Sequence, residues 1–198
     1  MEFQDVISRR KMCRSFADRP VPGHLLDRVV NNGSRAPSAG FTQGWAFVVL
    51  EGRDQTDLFW SLASEPEWRA QPDWPGLLRA PVIVLPFAHK QAYLDRYAEP
   101  DKASTGMSDE HRWPVPYWLV DTSFAVMAIL LTAVDAGLGA LFFGLDHGEA
   151  ELLTALRVPS SYKPIGAIAL GYPDGNDRPS PSLARGHRAD VIHRGHWH

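Results

Sequence analysis

The chain has 198 residues, 44% hydrophobic and 22% charged, the balance of an ordinary globular domain, and its formal charge of -3 offers no global attraction to nucleic acid or anionic lipid. Cys13 is the single cysteine, which excludes an internal disulfide and a cysteine-built zinc site and suits a reducing cytoplasm. Residues 123–145 are the most apolar stretch, but Asp135, Gly137 and Gly139 interrupt it, so it reads as a buried helix and turn rather than a membrane span.

Residues 1–10 read as a short helix, and a second follows Pro22, where Leu25, Leu26, Val29 and Val30 fall on one face before Gly33 and Pro37 end it. Residues 45–50, lying between Gly44 and Gly52 and rich in β-branched and aromatic side chains, are predicted as a buried strand, and residues 81–85 likewise. Between them, residues 54–62 form a helix, while residues 65–76, interrupted by Pro66, Pro72 and Pro75, are expected to be irregular. Residues 91–97 supply one or two helical turns. A polar loop over 99–112, where mobility is expected, then leads to the aromatic run Trp113-Pro-Val-Pro-Tyr117-Trp118. The long central helix is predicted over 118–135, closed by Gly137, with a strand over 140–144 after it. A helix at 149–156 and a strand at 165–170, ended by Gly171 and Pro173, complete the regular elements. The proline-rich residues 173–181 and the basic tail 185–198 have no core face of their own, so the tail is expected to rest on something already folded, such as a second subunit. Nothing divides the chain, so one domain over 1–198 is expected, of α+β or mixed α/β class, with the strand order left open.

Several familiar signatures fail. Gly137-Leu138-Gly139 follows a helix and precedes a strand, the reverse of a dinucleotide fingerprint, and reads as a helix cap with a tight turn. There is no Gly-Lys-Ser/Thr phosphate loop, no Gly-x-Ser-x-Gly around Ser38, and no histidine beside Cys13 to act as its base, which removes support for acyl transfer. Cys13 reads as a small half-buried side chain, with Arg14 as a neighbour able to lower its pKa somewhat. His187, His193, His196 and His198 crowd the C-terminus without a carboxylate or cysteine at helical spacing, and read as a solvated tail rather than a metal site. Arg9, Arg10, Lys11 and Arg14 form a local basic cluster suited to a small anion; taken alone, the first three equally suit the negative end of the first helix dipole.

Two segments carry a more specific signal. Arg10-Lys11-Met12-Cys13-Arg14-Ser15-Phe16, followed by Pro20-Val21-Pro22, resembles the N-terminal signature Arg-Arg-Ser-x-Arg-x-Phe of the nitroreductase family with its Pro-Val sequel. The run Ala36-Pro37-Ser38-Ala39-Gly40-Phe41-Thr42-Gln43-Gly44-Trp45-Ala46-Phe47 resembles that family's Ala-Pro-Ser-Ala-Gly-Asn-x-Gln-Pro-Trp-x-Phe segment. Asp121, Gly137-Leu138-Gly139 and Ile165 to Pro173 then look like its central helix, post-helix turn and last core strand, in order.

The resemblance implies an α+β fold with a mixed, mainly antiparallel sheet flanked by helices, and a C-terminal extension packed on the partner of a homodimer. It also implies FMN as cofactor, NADH or NADPH as electron donor, and hydride transfer through flavin N5 to a nitroaromatic, quinone or other electron-poor substrate. The flavin then carries the chemistry, with no side-chain nucleophile, no metal, no nucleic acid and no membrane. By this resemblance Arg10 and Arg188, with Arg185 a lesser helper, hold the phosphate, and arginine's planar fork suits that anion. Lys11 and Met12 belong to the same cofactor-binding segment, although Met12 lacks the hydroxyl that could bond the phosphate or ribityl chain. Arg14 matches the cation near the flavin pyrimidine edge, where it stabilises the reduced ring. Pro37, Ser38, Ala39 and Gly40 come from the neighbouring subunit, and the backbone of Phe143, Gly144 and Leu145 lies behind the ring. Phe41, Trp113, Tyr117 and Trp118 are candidates for the substrate pocket wall, against the alternative that these rings simply pack at the start of the central helix. Three departures stand out: Met12 replaces the signature serine, Phe41 the usual asparagine, and Gly44 the usual proline. The family's mid-chain flavin contacts are not identifiable, with Arg69 and Lys90 in range but marked by no motif. A specialised dehydrogenase, dehalogenase or flavin-modifying reaction, or flavin binding without nicotinamide-dependent turnover, remain alternatives.

Overall fold

The structure, a computed structural model, describes residues 1–197, so the expectation for His198 lies outside the described residues. Seven α-helices and five strands form among them: α1 (Phe3–Arg9), α2 (Gly23–Gly33), β1 (Trp45–Glu51), α3 (Gly52–Ala63), α4 (Pro66–Ala70), β2 (Val82–Ala88), α5 (Lys90–Ala98), α6 (Tyr117–Asp135), β3 (Gly139–Phe143), α7 (Glu149–Ala155), β4 (Lys163–Pro164) and β5 (Ala167–Gly171). The sheet order is β1-β2-β5-β3, with β4 paired to β2 off that path, and every strand pair is antiparallel. This is the α+β class with helices flanking an antiparallel sheet that the resemblance implied.

Strand β2 is buried at all seven positions because both faces of the sheet are covered. Its alternation divides the interior: Ile83, Leu85 and Phe87 join Phe59, Trp60 and Leu152 from α3 and α7 on one face, whereas Val82 and Val84 join Leu26, Val29, Val126 and Ile129 from α2 and α6 on the other. Helix α2 approaches α6 so closely at Gly33 that a Cβ there would stand 2.7 Å from Ile129 Cγ1. By length and composition α6 is apolar enough to cross a membrane, yet eight of its residues are buried against the fold, as expected of a central helix. Its outward face retains Phe124 and Met127, 48% and 45% exposed.

Local differences from the sequence reading have physical causes. Pro66 opens α4 at a position where its missing N–H costs nothing, so a helical turn forms inside the stretch expected to be irregular. Strand β2 runs past 85 to Ala88 because Pro86 still offers its carbonyl to the Ile165 N–H at 3.1 Å. The last core strand begins at Ala167, since Gly166 takes φ 142 and separates it from β4. The tail after 181 forms one 3-10 turn (Pro181–Arg185) and leaves Leu183, Val191, Ile192 and Trp197 exposed in the single chain.

Candidate functional site

The N-terminal signature runs along the sheet edge formed by β3. Met12 bridges Ala140 in parallel fashion, and the Cys13 N–H donates to the Ala140 carbonyl at 2.9 Å. Gly139 permits this approach, because a Cβ there would lie 2.7 Å from Cys13 Sγ. Cys13 is therefore 1% exposed, not half-buried, and burial pushes its thiol above the ordinary value, the reverse of activation by Arg14. The same docking delivers Arg14 to the C-terminal end of β3. Its Nη1 donates to the Met12 carbonyl at 3.3 Å and its guanidinium lies 5.1 Å from the Trp74 ring centroid, within cation–π range.

Beside Arg14 opens a cavity of about 500 Å³, lined by Trp60, Trp68, Trp74, Phe143, Gly144 and His147 among others. Its walls are stacked aromatics: Trp60 lies parallel to Phe143 at 5.6 Å and 6.1 Å from Trp68. The Trp60 Nε1–H is buried and has no hydrogen-bond partner among the described residues. Phe143 and Gly144, two of the three residues expected here at and just after the end of β3, do line the cavity with Arg14; Leu145 instead packs partly buried against the core.

Arg14 and Trp74 also border a second cavity of about 540 Å³, together with Pro75, Gly76, Arg79, Asn176 and Arg178. Residues 174–178 return across the N-terminal signature to form one side of it. Asp174 accepts bonds from the Asn176 N–H at 2.8 Å, Ser15 Oγ at 2.8 Å and Arg79 Nη2 at 2.5 Å, and these donors, the Asn176 amide foremost, hold its carboxyl down at about 2. Asp177 accepts the Arg14 N–H at 2.8 Å and pairs with Lys11 at 3.4 Å. Gly76 fits under this strap because a Cβ there would come within 2.7 Å of Ser15 Cα.

The Ser38 segment lies elsewhere in the protomer and is rigidly held. Gly40, Phe41 and Gln43 all have positive φ (63, 55 and 53°), a conformation that disfavours the two larger side chains. Asp121, 2% exposed, accepts through one oxygen from both the Ala39 N–H and the Tyr93 hydroxyl, each at 2.8 Å, while Arg96 Nε donates to the Gly40 carbonyl at 2.9 Å. Burial, and then Asp121, drive the Tyr93 phenol far above its ordinary pKa. Phe41 projects from this frame, 77% exposed.

Of the remaining expected residues, Trp113 is 8% exposed, donates Nε1–H to the Met107 carbonyl at 2.7 Å, and is ringed by Tyr93, Tyr97, Tyr117 and Trp118. Packing at the start of α6 is thus its role, while Tyr117 and Trp118 are half-buried. Within one protomer, Phe41, Trp113, Tyr117 and Trp118 line neither cavity. Arg10 is half-buried at the end of α1 with its N–H on the Val6 carbonyl. Arg185 and Arg188 are exposed on the tail, Arg188 paired with Asp190 at 3.5 Å, so a single chain does not bring them into either cavity. Lys90 pairs with Glu110, and Arg69 caps the carbonyls of Trp60 and Ser64, two residues that line the aromatic cavity, though neither Lys90 nor Arg69 lines either cavity itself. Among the described residues no group of His, Cys, Asp and Glu could hold a metal. The sequence reading missed Trp60, Trp68, Trp74, Arg79 and Arg178; the density of tryptophan in a proline-broken stretch was the one available signal.

The sequence profile of the nitroreductase family matches residues 7–172. A provisionally named NADH dehydrogenase/NAD(P)H nitroreductase of Methanothermobacter thermautotrophicus is 27% identical, the match covering 89% of this chain and 80% of that protein. Iodotyrosine deiodinase 1 of Rattus norvegicus is 25% identical over 87% of this chain and 62% of its own length. Among solved structures, a nitroreductase family protein of Streptococcus pneumoniae superposes with TM-score 0.70 at 19% identity, covering 90% of this chain and 94% of its own. A provisionally named nitroreductase of Desulfovibrio desulfuricans, solved in complex with FMN, gives 0.67 at 24% identity over 91% of both chains. The two structures share the fold, and the profile match over most of the length decides the assignment: this chain belongs to the nitroreductase family.

Proposed function

We propose that the chain acts as a homodimeric, FMN-dependent oxidoreductase, its residues 1–198 working as one flavin-binding domain in the cytoplasm. The observation that carries this reading is the aromatic cavity at the end of β3, closed by Arg14 at one side and by the Phe143–Gly144 backbone at another. Its volume of about 500 Å³ and its flat, stacked walls suit a planar ring system, and Gly144 presents bare main chain where a ring must lie close. Bound there, FMN would supply hydride-transfer chemistry between NADH or NADPH and a nitroaromatic, quinone or similarly electron-poor acceptor.

The chain's own task is binding, orientation and electrostatics. Arg14 would bring a permanent positive charge to the bound ring, favouring its reduced, anionic form and raising its potential. Arg10, Lys11 and the Met12 backbone, with Arg185 and Arg188 from a tail folded onto the assembled dimer, hold the phosphate. Two apolar surfaces support dimerisation: Phe3 and Ile7 of α1 with Phe124 and Met127 of α6, and the tail residues Leu183, Val191, Ile192 and Trp197. In that dimer Pro37, Ser38, Ala39, Gly40 and the exposed Phe41 serve the neighbour's site, with Tyr117 and Trp118 as walls and Trp113 positioning them.

Purified protein should be yellow, and anaerobic NADH or NADPH should bleach it. Arg10→Ala should weaken FMN binding roughly ten-fold or more through loss of a charge-assisted bond, whereas Arg14→Ala should chiefly lower the flavin potential. Equal effects of the two substitutions on both quantities would contradict these roles. The iodotyrosine deiodinase relative favours a second reading, a reductive dehalogenase using the same cavity, which a panel of anaerobic acceptors would separate from nitro and quinone reduction.

A further inference from the structure

The second cavity shares Arg14 with the flavin reading, but Arg79, Asn176 and Arg178 have no role in that reading. It meets the aromatic cavity at Arg14 and Trp74, and its volume of about 540 Å³ is that of a ligand site rather than a gap for one ion. Three guanidinium groups line it: Arg14, Arg79 and Arg178. Asp174 compensates Arg79 at 2.5 Å. The other two have no carboxylate within ion-pair distance among the described residues; Arg14 donates to the Met12 carbonyl at 3.3 Å and Arg178 Nη2 to the Asp73 carbonyl at 3.2 Å. Carbonyl acceptors orient a guanidinium but do not neutralise it, so two positive charges converge on one cavity in a chain whose net charge is -3. The chain fixes this arrangement on purpose-built local structure: Asp174 ties the strap to Ser15 and Arg79, and Asp177 ties it to Lys11 and the Arg14 N–H, which leaves Arg178 at the cavity mouth.

We propose that this cavity is a phosphomonoester subsite and that it takes the 2′-phosphate of NADPH, so that the enzyme prefers NADPH over NADH. A phosphomonoester carries about -1.5 to -2 charges at neutral pH, which matches two uncompensated guanidiniums, each able to donate in bidentate fashion. The nicotinamide end would enter the adjoining aromatic cavity, an element that rests on the flavin reading above; the charge argument for the phosphate does not.

Two measurements on the full-length protein test this. Calorimetric titration with adenosine 2′-monophosphate should show binding that weakens roughly ten-fold or more in Arg178→Ala, the size of one charge-assisted hydrogen bond, while adenosine alone shows no difference between the two proteins. Arg178 is exposed, and its only bond shown is to a surface carbonyl, so the variant should fold. Anaerobic flavin reduction should then show a similar rise in the NADPH KM, with the NADH KM and the FMN content unmoved. Equal loss for both dinucleotides would overturn the proposal. So would loss of FMN affinity without loss of riboflavin affinity, which would mean that the flavin's own phosphate occupies the cavity. A protein that binds no flavin would sink the flavin reading alone, because the calorimetric arm would still report on the subsite.

Discussion

Asp121→Ala offers a direct measure of what fixes the Ser38 segment. In the native chain one carboxylate oxygen accepts the Tyr93 hydroxyl and the Ala39 N–H, both at 2.8 Å, in an environment where Asp121 is 2% exposed and Tyr93 fully buried. Alanine removes both bonds and strands two donors away from water. Each stranded donor costs about 1–3 kcal/mol, so a loss of roughly 2–6 kcal/mol is expected, a large share of the ~5–15 kcal/mol that holds a typical domain together. For a chain of this size that corresponds to a fall in Tm of about 4–24 °C, to be compared at one fixed chain concentration because the Tm of any associating chain depends on it. Asp121→Asn behaves differently: its amide oxygen can take both donors in the same place, so only the charge assistance is lost, about 1 kcal/mol. It should also let the Tyr93 phenol titrate at lower pH, since part of that elevation comes from the carboxylate. Thermal unfolding with ultraviolet detection of tyrosinate reads both quantities. If Asp121→Ala melts within a degree or two of the native protein, or if alanine and asparagine are indistinguishable, the buried three-way bond is not what holds Ser38 to Gly40.

Asp174 supplies a pH test. Its carboxyl is held at about 2 instead of the ordinary 3.8, so its contribution is fully present above that ordinary value and is lost as pH falls towards 2. Melting curves taken between pH 5 and pH 2 should therefore fall less steeply for Asp174→Asn than for the native chain, and parallel curves would count against a strap anchored by this group. Met127→Glu, at a position 45% exposed on the outward face of α6, should leave the monomer fold intact but shift light scattering from dimer to monomer. An unchanged dimer would remove this face from the proposed interface.

The regular elements were legible in different ways. Residues 81–85 are an apolar run buried on both sides of the sheet, whereas residues 45–50, expected to be buried from the same kind of composition, form an edge strand that is half-buried over 45–49. Helix α2 followed from spacing and α6 from its long apolar run. Arg14 and the Phe143–Gly144 pair were legible through motif resemblance, and the structure does bring them to one cavity. What stayed hidden depends on distant returns of the chain. Nothing local says that Asp174 and Asp177 come back across Lys11 to Ser15, so the arginine cavity had no signature. Trp113 reads from sequence as a candidate pocket wall or as packing at the start of α6, and the Met107 carbonyl that takes its indole N–H fits the packing alternative within one protomer. Cys13 was underestimated because its burial is set by Gly139, far away in sequence.

Helix α6 connects the Ser38 segment with the strand that leads to the aromatic cavity. Asp121, near its first turn, fixes the Ser38–Gly40 backbone, and its C-terminal end feeds through Gly137, at φ 73, into the strand that carries Phe143 to the aromatic cavity. Between these ends its inner residues pack on α2 and the sheet while Phe124 and Met127 stay uncovered. The 19-residue helix is about 28 Å long, and within one protomer none of Ser38, Ala39, Gly40 and Phe41 lines the aromatic cavity. In the proposed homodimer, the uncovered α6 face would bring one chain's Ser38 segment towards the other chain's Arg14. Stability of that interface and affinity for the flavin should then be coupled: whatever weakens pairing along α6 should weaken cofactor retention at unchanged Arg10 and Arg14, and FMN should raise the dimer's resistance to dilution by the same factor.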